Sequence, residues 1–166
     1  MAMLGYTMMP GKGDVDLLLA AFAEELTCSG KTVCGCVQIN KDRSDGGRCD
    51  MVVRTLPAGE HILISQHLGA GSRGCRMDQN ALERAVASVG NAYSADCDLL
   101  LINKFGKHEA QGRGFRDLIA RAMSDDVPVL VGLNVLNRQA FASFAQGLET
   151  SVRPDLKSLL AWFENS

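Results

Sequence analysis

Short apolar runs alternate with stretches of helical periodicity along almost the whole chain. The first run is Met3–Met8, followed by a Pro10-Gly11 turn, Gly13 and Asp14. From Val15 to about Cys28 the apolar positions recur at helical spacing, with Leu17, Leu18, Ala21, Phe22 and Leu26 as the expected buried stripe. Asp14 stands where an N-cap belongs, because a carboxylate accepts the free N–H groups of a first turn. A second strand is expected over Thr32–Ile39, then a polar stretch, Lys41–Arg48, rich in Gly, Asp and Arg. Cys49–Thr55 and His61–Ser65 flank Leu56-Pro57-Ala58-Gly59-Glu60 and predict an antiparallel hairpin. A glycine-rich loop, Gly69–Gly74, leads to a helix from Asp78 to Val89, with Asp78 as its cap. Strands are expected at Asp98–Ile102 and Val127–Gly132, and helices at Gly114–Met123, Arg138–Gly147 and Pro154–Glu164.

Strand and helix alternating in this way predict βαβ units and a mainly parallel sheet. The expected fold is a three-layer α/β/α domain with a P-loop-like layout and an added antiparallel hairpin. The 166 residues suit one domain, 1–166, and 46% apolar content supplies a core. The net charge of −2 gives no basic face for a nucleic-acid backbone. No apolar run is long enough to cross a bilayer, and the first residues lack a signal-peptide pattern, so a cytoplasmic protein is expected. Six cysteines in a reducing compartment are expected as free thiols.

Ligands of open α/β sheets sit beyond the carboxyl ends of the strands. Met8–Asp16, Gln38–Asn40, Asn103–Gly106 and Gly132–Asn134 should meet there, with Gly69–Arg76 as a covering loop. A P-loop reads G-x-x-x-x-G-K-[ST]. Here Gly11 and Gly13 keep the turn, but Asp14 stands in the lysine position and Val15 in the hydroxyl position. Aspartate repels a triphosphate and competes for the helix N-terminus. Lys12 offers partial compensation; a plain capped β–α turn is the alternative. Asp98–Ile102 resembles the strand that ends in acidic residues in nucleoside-triphosphatases, where carboxylates serve Mg²⁺ and water. Its end reads Asn103-Lys104, a change from cation binding to anion binding; a solvated strand-end charge at Lys104 is the alternative.

Several of these stretches also carry a family resemblance. They are Ile102-Asn103-Lys104-Phe105-Gly106-Lys107 with Glu109, Gly112 and Gly114, Ser65-Gln66-His67-Leu68-Gly69, Gly74-Cys75-Arg76-Met77-Asp78, Ala81-Leu82, and Ala20-Ala21-Phe22-Ala23. Together they resemble a bacterial family whose function is not established, itself similar to the P-loop nucleoside-triphosphatase and kinase branch. The resemblance covers nearly the whole chain. It implies a P-loop-type fold, an association with molybdenum uptake and molybdoenzymes, and molybdate or tungstate as ligand.

A tetrahedral dianion carries only acceptor oxygens and needs a ring of donors. Lys12, Gly13, Gln38, Gln66, Ser72, Arg76, Asn103 and Lys104 are the candidate anion-binding residues. No cofactor is required, no catalytic residue is assigned and no metal is expected. Cys34 and Cys36 should share one strand face as core thiols, and Cys75 beside Arg76 is a candidate reactive thiol. The first functional expectation is therefore a non-hydrolytic oxyanion-binding protein acting as carrier, sensor or store. Self-association and contact with molybdoenzyme or molybdenum-uptake partners stay open. The alternative is a divergent nucleoside-triphosphatase or kinase in which Lys12 replaces the missing lysine and Glu109 or Asp98 handles Mg²⁺. Each lost electrostatic contact costs such an enzyme roughly 10²–10³ in rate. A third reading makes Ala161-Trp162-Phe163 a contact for protein partners, against a buried terminal helix as the favoured alternative.

Overall fold

The computed structural model describes residues 3–11, 13–69, 71 and 76–166. Its strands are β1 (Leu4–Thr7), β2 (Val33–Lys41), β3 (Asp50–Leu56), β4 (His61–Leu63), β5 (Leu99–Phe105), β6 (Val129–Leu133) and β7 (Glu149–Ser151). Its helices are α1 (Asp14–Cys28), α2 (Gln79–Ala92), α3 (Lys107–Ala110), α4 (Arg116–Ser124), α5 (Arg138–Ala145) and α6 (Leu156–Glu164). The strands form one sheet in the order β4-β3-β2-β5-β6-β1-β7. The pairs from β2 through β7 are parallel, and β3 and β4 add antiparallel on the β2 edge.

Leu99, Leu100, Leu101 and Ile102 of β5 are fully buried, as a central parallel strand covered on both faces requires. One face packs Val33, Val37, Leu99, Leu101 and Leu130 against α1 and α6. The other packs Cys34, Cys36, Leu100, Ile102 and Val131 against α2, α4 and α5. The three-layer expectation and the hairpin hold, and Cys34 and Cys36 do share a face.

Two local expectations, the buried stripe of α1 and the Asp14 cap, are corrected, and the choice at Trp162 is decided. Leu17 is 74% exposed and Ala21 is also exposed; the buried face of α1 is Asp16, Leu19, Phe22, Ala23 and Leu26. The run Leu17-Leu18-Leu19 leaves the helix phase ambiguous, and contacts made by Asp16 decide it. Asp14 is the first helical residue; the cap is Gly13, left-handed at φ 77, with no side-chain cap bond. Trp162 is buried, and its ring occupies the place of a side chain at Gly5, where a Cβ would lie 2.7 Å from it. It is therefore core, not the partner contact of the third reading. Asp78 does cap α2, accepting from the backbone N–H of Asn80 at 2.9 Å and Ala81 at 3.1 Å. Strand β7 and helix α3 were not anticipated; neither is longer than four residues.

Gly35 explains how Cys34 and Cys36 fit between β3 and β5. Its φ is +118, and a Cβ there would stand 1.9 Å from the Leu101 carbonyl oxygen. Gly35→Ala should therefore lower the unfolding free energy by about 3 kcal/mol, combining backbone strain with overpacking. Urea denaturation checks this, and a loss below about 1 kcal/mol would contradict it.

Candidate functional site

The carboxyl ends of β1, β2, β5 and β6 meet the first turn of α1. At their centre is the Asp16 carboxylate, only 9% exposed. Asn103 donates its amide to Asp16 Oδ1 at 2.7 Å, and Asn40 donates to Oδ2 at 3.0 Å. Asn103 Oδ1 accepts the backbone N–H of Gln38 at 2.8 Å, and Gln38 Nε2 donates to Asn40 Oδ1 at 3.0 Å. The result is a closed ring that ties α1 to β2 and β5. Asn103 takes over the backbone ladder where these strands diverge. Gly132 makes room for it, since a Cβ there would lie 2.1 Å from the Asn103 carbonyl oxygen. Thr7, at the end of β1, is fully buried and its hydroxyl has no partner among the described residues.

The first turn is acidic. Asp14 is exposed and folds back over Gly11, whose Cβ would fall 1.7 Å from Asp14 Oδ2. Asp14 and Asp16 thus put two carboxylates at the end of the helix that a phosphate would otherwise use. Gly13 lies beside this ring, a Cβ on it falling 3.4 Å from Asn40 Nδ2. Lys104 is exposed, with its aliphatic stem over Gly106.

The acidic groups proposed for Mg²⁺ in the enzymatic alternative are committed elsewhere. Glu109 is 3% exposed and accepts backbone N–H groups of Gly106 at 2.9 Å and Phe115 at 3.3 Å. It closes the start of α3 and the turn at Gly114. Asp98 lies at the opposite, amino end of β5, where it accepts from Thr32 N–H at 2.8 Å and pairs with Lys31 at 3.8 Å. Neither carboxylate faces the crevice, which corrects that assignment.

Gln66 and Arg76 occupy a different place. The chain is pinched there by the Gln66 N–H to Arg76 carbonyl bond and by the Ser65–Met77 bridge. Both residues line a cavity of about 490 Å³ between the β2–β3 loop and the segment after β4. It lies on the same carboxyl edge, displaced outward toward β4. Arg43, Arg48, His67 and Arg76 bring positive or donor groups, and Gly46, Gly47, Gly69 and Gly71 expose backbone around them. Arg76 donates one guanidinium nitrogen to the Cys49 carbonyl. Arg43 donates to Asp45 and to His67 Nδ1, and His67 Nε2 stands 3.5 Å from Asp50. The accepting Nδ1 fixes His67 as the Nε2–H tautomer.

The expected donor ring is therefore split. Gln38, Asn103 and Gly13 belong to the Asp16 ring, Lys104 stands at the strand end outside it, and Gln66 and Arg76 belong to the arginine cavity. Lys12, Ser72, Arg73, Gly74 and Cys75 lie outside the described residues. Sequence reasoning missed Asp16, Asn40, Arg43, Arg48 and His67 as site residues. The composition of Lys41–Arg48 was a usable signal for the arginines; nothing local distinguished Asp16 from Asp14. Among the described residues, no group of three or more His, Cys, Asp or Glu is placed to hold a metal ion, and no helix is long and apolar enough to cross a membrane.

With this geometry in place, comparison with known proteins adds three findings. A family model described as protein of unknown function (DUF2478) matches residues 4–162. Molybdenum import ATP-binding protein ModC 2 of Bradyrhizobium diazoefficiens is 37% identical over 153 residues, 92% of this chain but 17% of that protein. This chain thus spans about a sixth of that relative's length. The crystal structure of THEP1 from the hyperthermophile Aquifex aeolicus superposes with a TM-score of 0.65 at 17% identity, over 99% of this chain and 96% of that one. The fold is P-loop NTPase-like: a mostly parallel seven-stranded sheet with helices and an antiparallel strand pair.

Removing the buried carboxylate strands two amide donors. Asp16→Ala should cost about 3 kcal/mol of stability, as expected for lost hydrogen bonds to a charged group. Asp14→Ala, on an exposed side chain, should cost far less. Thermal unfolding of the two variants compares them directly; equal losses would remove Asp16 from the centre of the site.

Proposed function

Because the chain belongs to the DUF2478 family, whose function is unknown, we propose a function from its site: it binds a small tetrahedral oxyanion, molybdate or tungstate, without hydrolysing nucleotide. The observation that carries this reading is the charge division along the carboxyl edge. The P-loop-like turn holds Asp14 and Asp16, whereas the neighbouring cavity gathers Arg43, Arg48, Arg76 and His67 among glycines, with one carboxylate, Asp45, paired to Arg43. A dianion is repelled at the first place and offered charge-assisted donors at the second. Gln66 and Arg76 are the expected holders that remain in this cavity, joined by Arg48 and the His67–Arg43 pair. Lys104 adds charge from the strand end. Gln38 and Asn103 serve by holding Asp16 in place.

The name of the Bradyrhizobium relative supports molybdenum as the context. That relative's name also includes ATP binding, so nucleotide is the competing ligand. Against it stand the acidic turn and the commitment of Glu109 and Asp98 to backbone groups.

Calorimetric titration with molybdate, tungstate, sulfate, phosphate and Mg·ATP tests the proposal. Molybdate or tungstate should bind, and Arg48→Ala and Arg76→Ala should each weaken binding about tenfold or more, the worth of one charge-assisted hydrogen bond. Mg·ATP binding with turnover, or oxyanion binding unchanged in both variants, would overturn it.

A further inference from the structure

His67 is the side chain lining the arginine cavity, among the described residues, whose charge changes near neutral pH. Its two ring nitrogens meet opposite demands. Nδ1 accepts a guanidinium hydrogen of Arg43 at 2.5 Å, so the ring is neutral in this arrangement. Nε2 stands 3.5 Å from Asp50 Oδ1, a carboxylate oxygen that is buried and accepts no hydrogen bond among the described residues. The first contact keeps a proton off Nδ1, and the second favours a positive ring. Arg43 is itself held twice, because its other terminal nitrogen donates to Asp45. The remaining charged groups around the ring are Arg48 on the β2–β3 loop and Arg76 after β4. Lys41 stands opposite Asp50 in the β2–β3 register, and Asp42 accepts from the Cys49 thiol at 3.2 Å.

We propose that this cavity takes up its oxyanion together with one proton, which His67 Nδ1 receives from solvent. The inference rests on the anion-binding reading above and specifies how that site is regulated. A dianion entering the cavity draws the Arg43 guanidinium off Nδ1, since a charged acceptor binds it more strongly than a neutral imidazole does. Nδ1, relieved of its donor, takes the proton and turns it to the anion. The positive ring then gives Asp50 Oδ1 the partner it lacks, through Nε2–H. The charges agree with this. Arg43, Arg48 and Arg76 against Asp45 and Asp50 leave one net positive charge, and the imidazolium raises it to two, equal and opposite to the dianion.

The direction of the pH dependence follows by linkage. The proton is held more tightly in the complex than in the free protein, so affinity grows as pH falls and levels off once the free ring is protonated as well. The other groups of the cavity contribute an attraction that does not change over this range. The arginines keep their charge throughout. The Gly47 N–H, with Arg43 adding to it, holds the Asp45 carboxyl below the usual carboxylate range, so it stays ionised.

Calorimetric titration of the full chain with molybdate, from about pH 8 to about pH 6.5 and in two buffers of different ionisation heat, tests this within the range where histidine titrates. Molybdate stays a dianion throughout, so the protein is the source of any pH dependence. Affinity should rise about threefold to tenfold on lowering the pH, the limit for one linked proton being tenfold per pH unit. At the upper end of the range the two buffers should report uptake approaching one proton per anion. His67→Gln keeps an acceptor for Arg43 but does not titrate, and should lose both the slope and the uptake. The His67 ring resonances of the unaltered chain decide the matter even where the variant fails to fold: added molybdate should convert them from the neutral to the imidazolium form. Molybdate binding that is flat in pH, with no proton uptake and a neutral His67, would overturn this inference and leave the anion reading standing. No molybdate binding at any pH would overturn both.

Discussion

The hydrogen bonds from Asn103 and Asn40 to the Asp16 carboxylate set the geometry of the functional edge. A carboxylate taken out of water is costly unless its oxygens are satisfied, and here each oxygen receives an amide hydrogen. That requirement turns α1 so that Asp16 faces the sheet, which in turn buries Leu19, Phe22 and Leu26 and exposes Leu17. It also places a fixed negative charge at the point where the fold would ordinarily receive phosphate. One interaction therefore sets both the packing of the first helix and the chemistry of the crevice.

The rest of the edge responds to that charge. Asn103 and Lys104 stand at the end of β5, Glu109 is absorbed in closing α3, and Asp98 braces the far end of the sheet. The concentration of cationic and glycine residues falls outside the parallel core, on the loops carried by β2, β3 and β4. The added hairpin is thus more than an edge extension, because its loops line an arginine-bearing cavity on this edge. The P-loop NTPase-like frame is kept, and under the proposed function the favoured anion position moves sideways along it.

Much of this was legible before the structure. Apolar runs alternating with helical stretches gave the three layers, Asp78 announced its own helix, and the Pro-Gly segment between Thr55 and His61 announced the hairpin. The phase of α1 was not legible, because three consecutive leucines fit two faces equally and the deciding partners, Asn40 and Asn103, are distant in sequence. The separation of Gln66 and Arg76 from Gln38 and Asn103 was hidden for a related reason. It depends on strand order, and β3 and β4 lie outside β2 instead of over the crevice. Glu109 looked available as an acid, and only the turn at Gly114 and Phe115 shows that its oxygens are occupied.

The account stands on where the anion sits. Crystals of the protein soaked in tungstate, with anomalous scattering measured at the tungsten edge, locate it directly. The account predicts a peak among Arg48, His67 and Arg76. A peak at Gly13 and the start of α1, or bound tungstate with no contact to those three side chains, would contradict it.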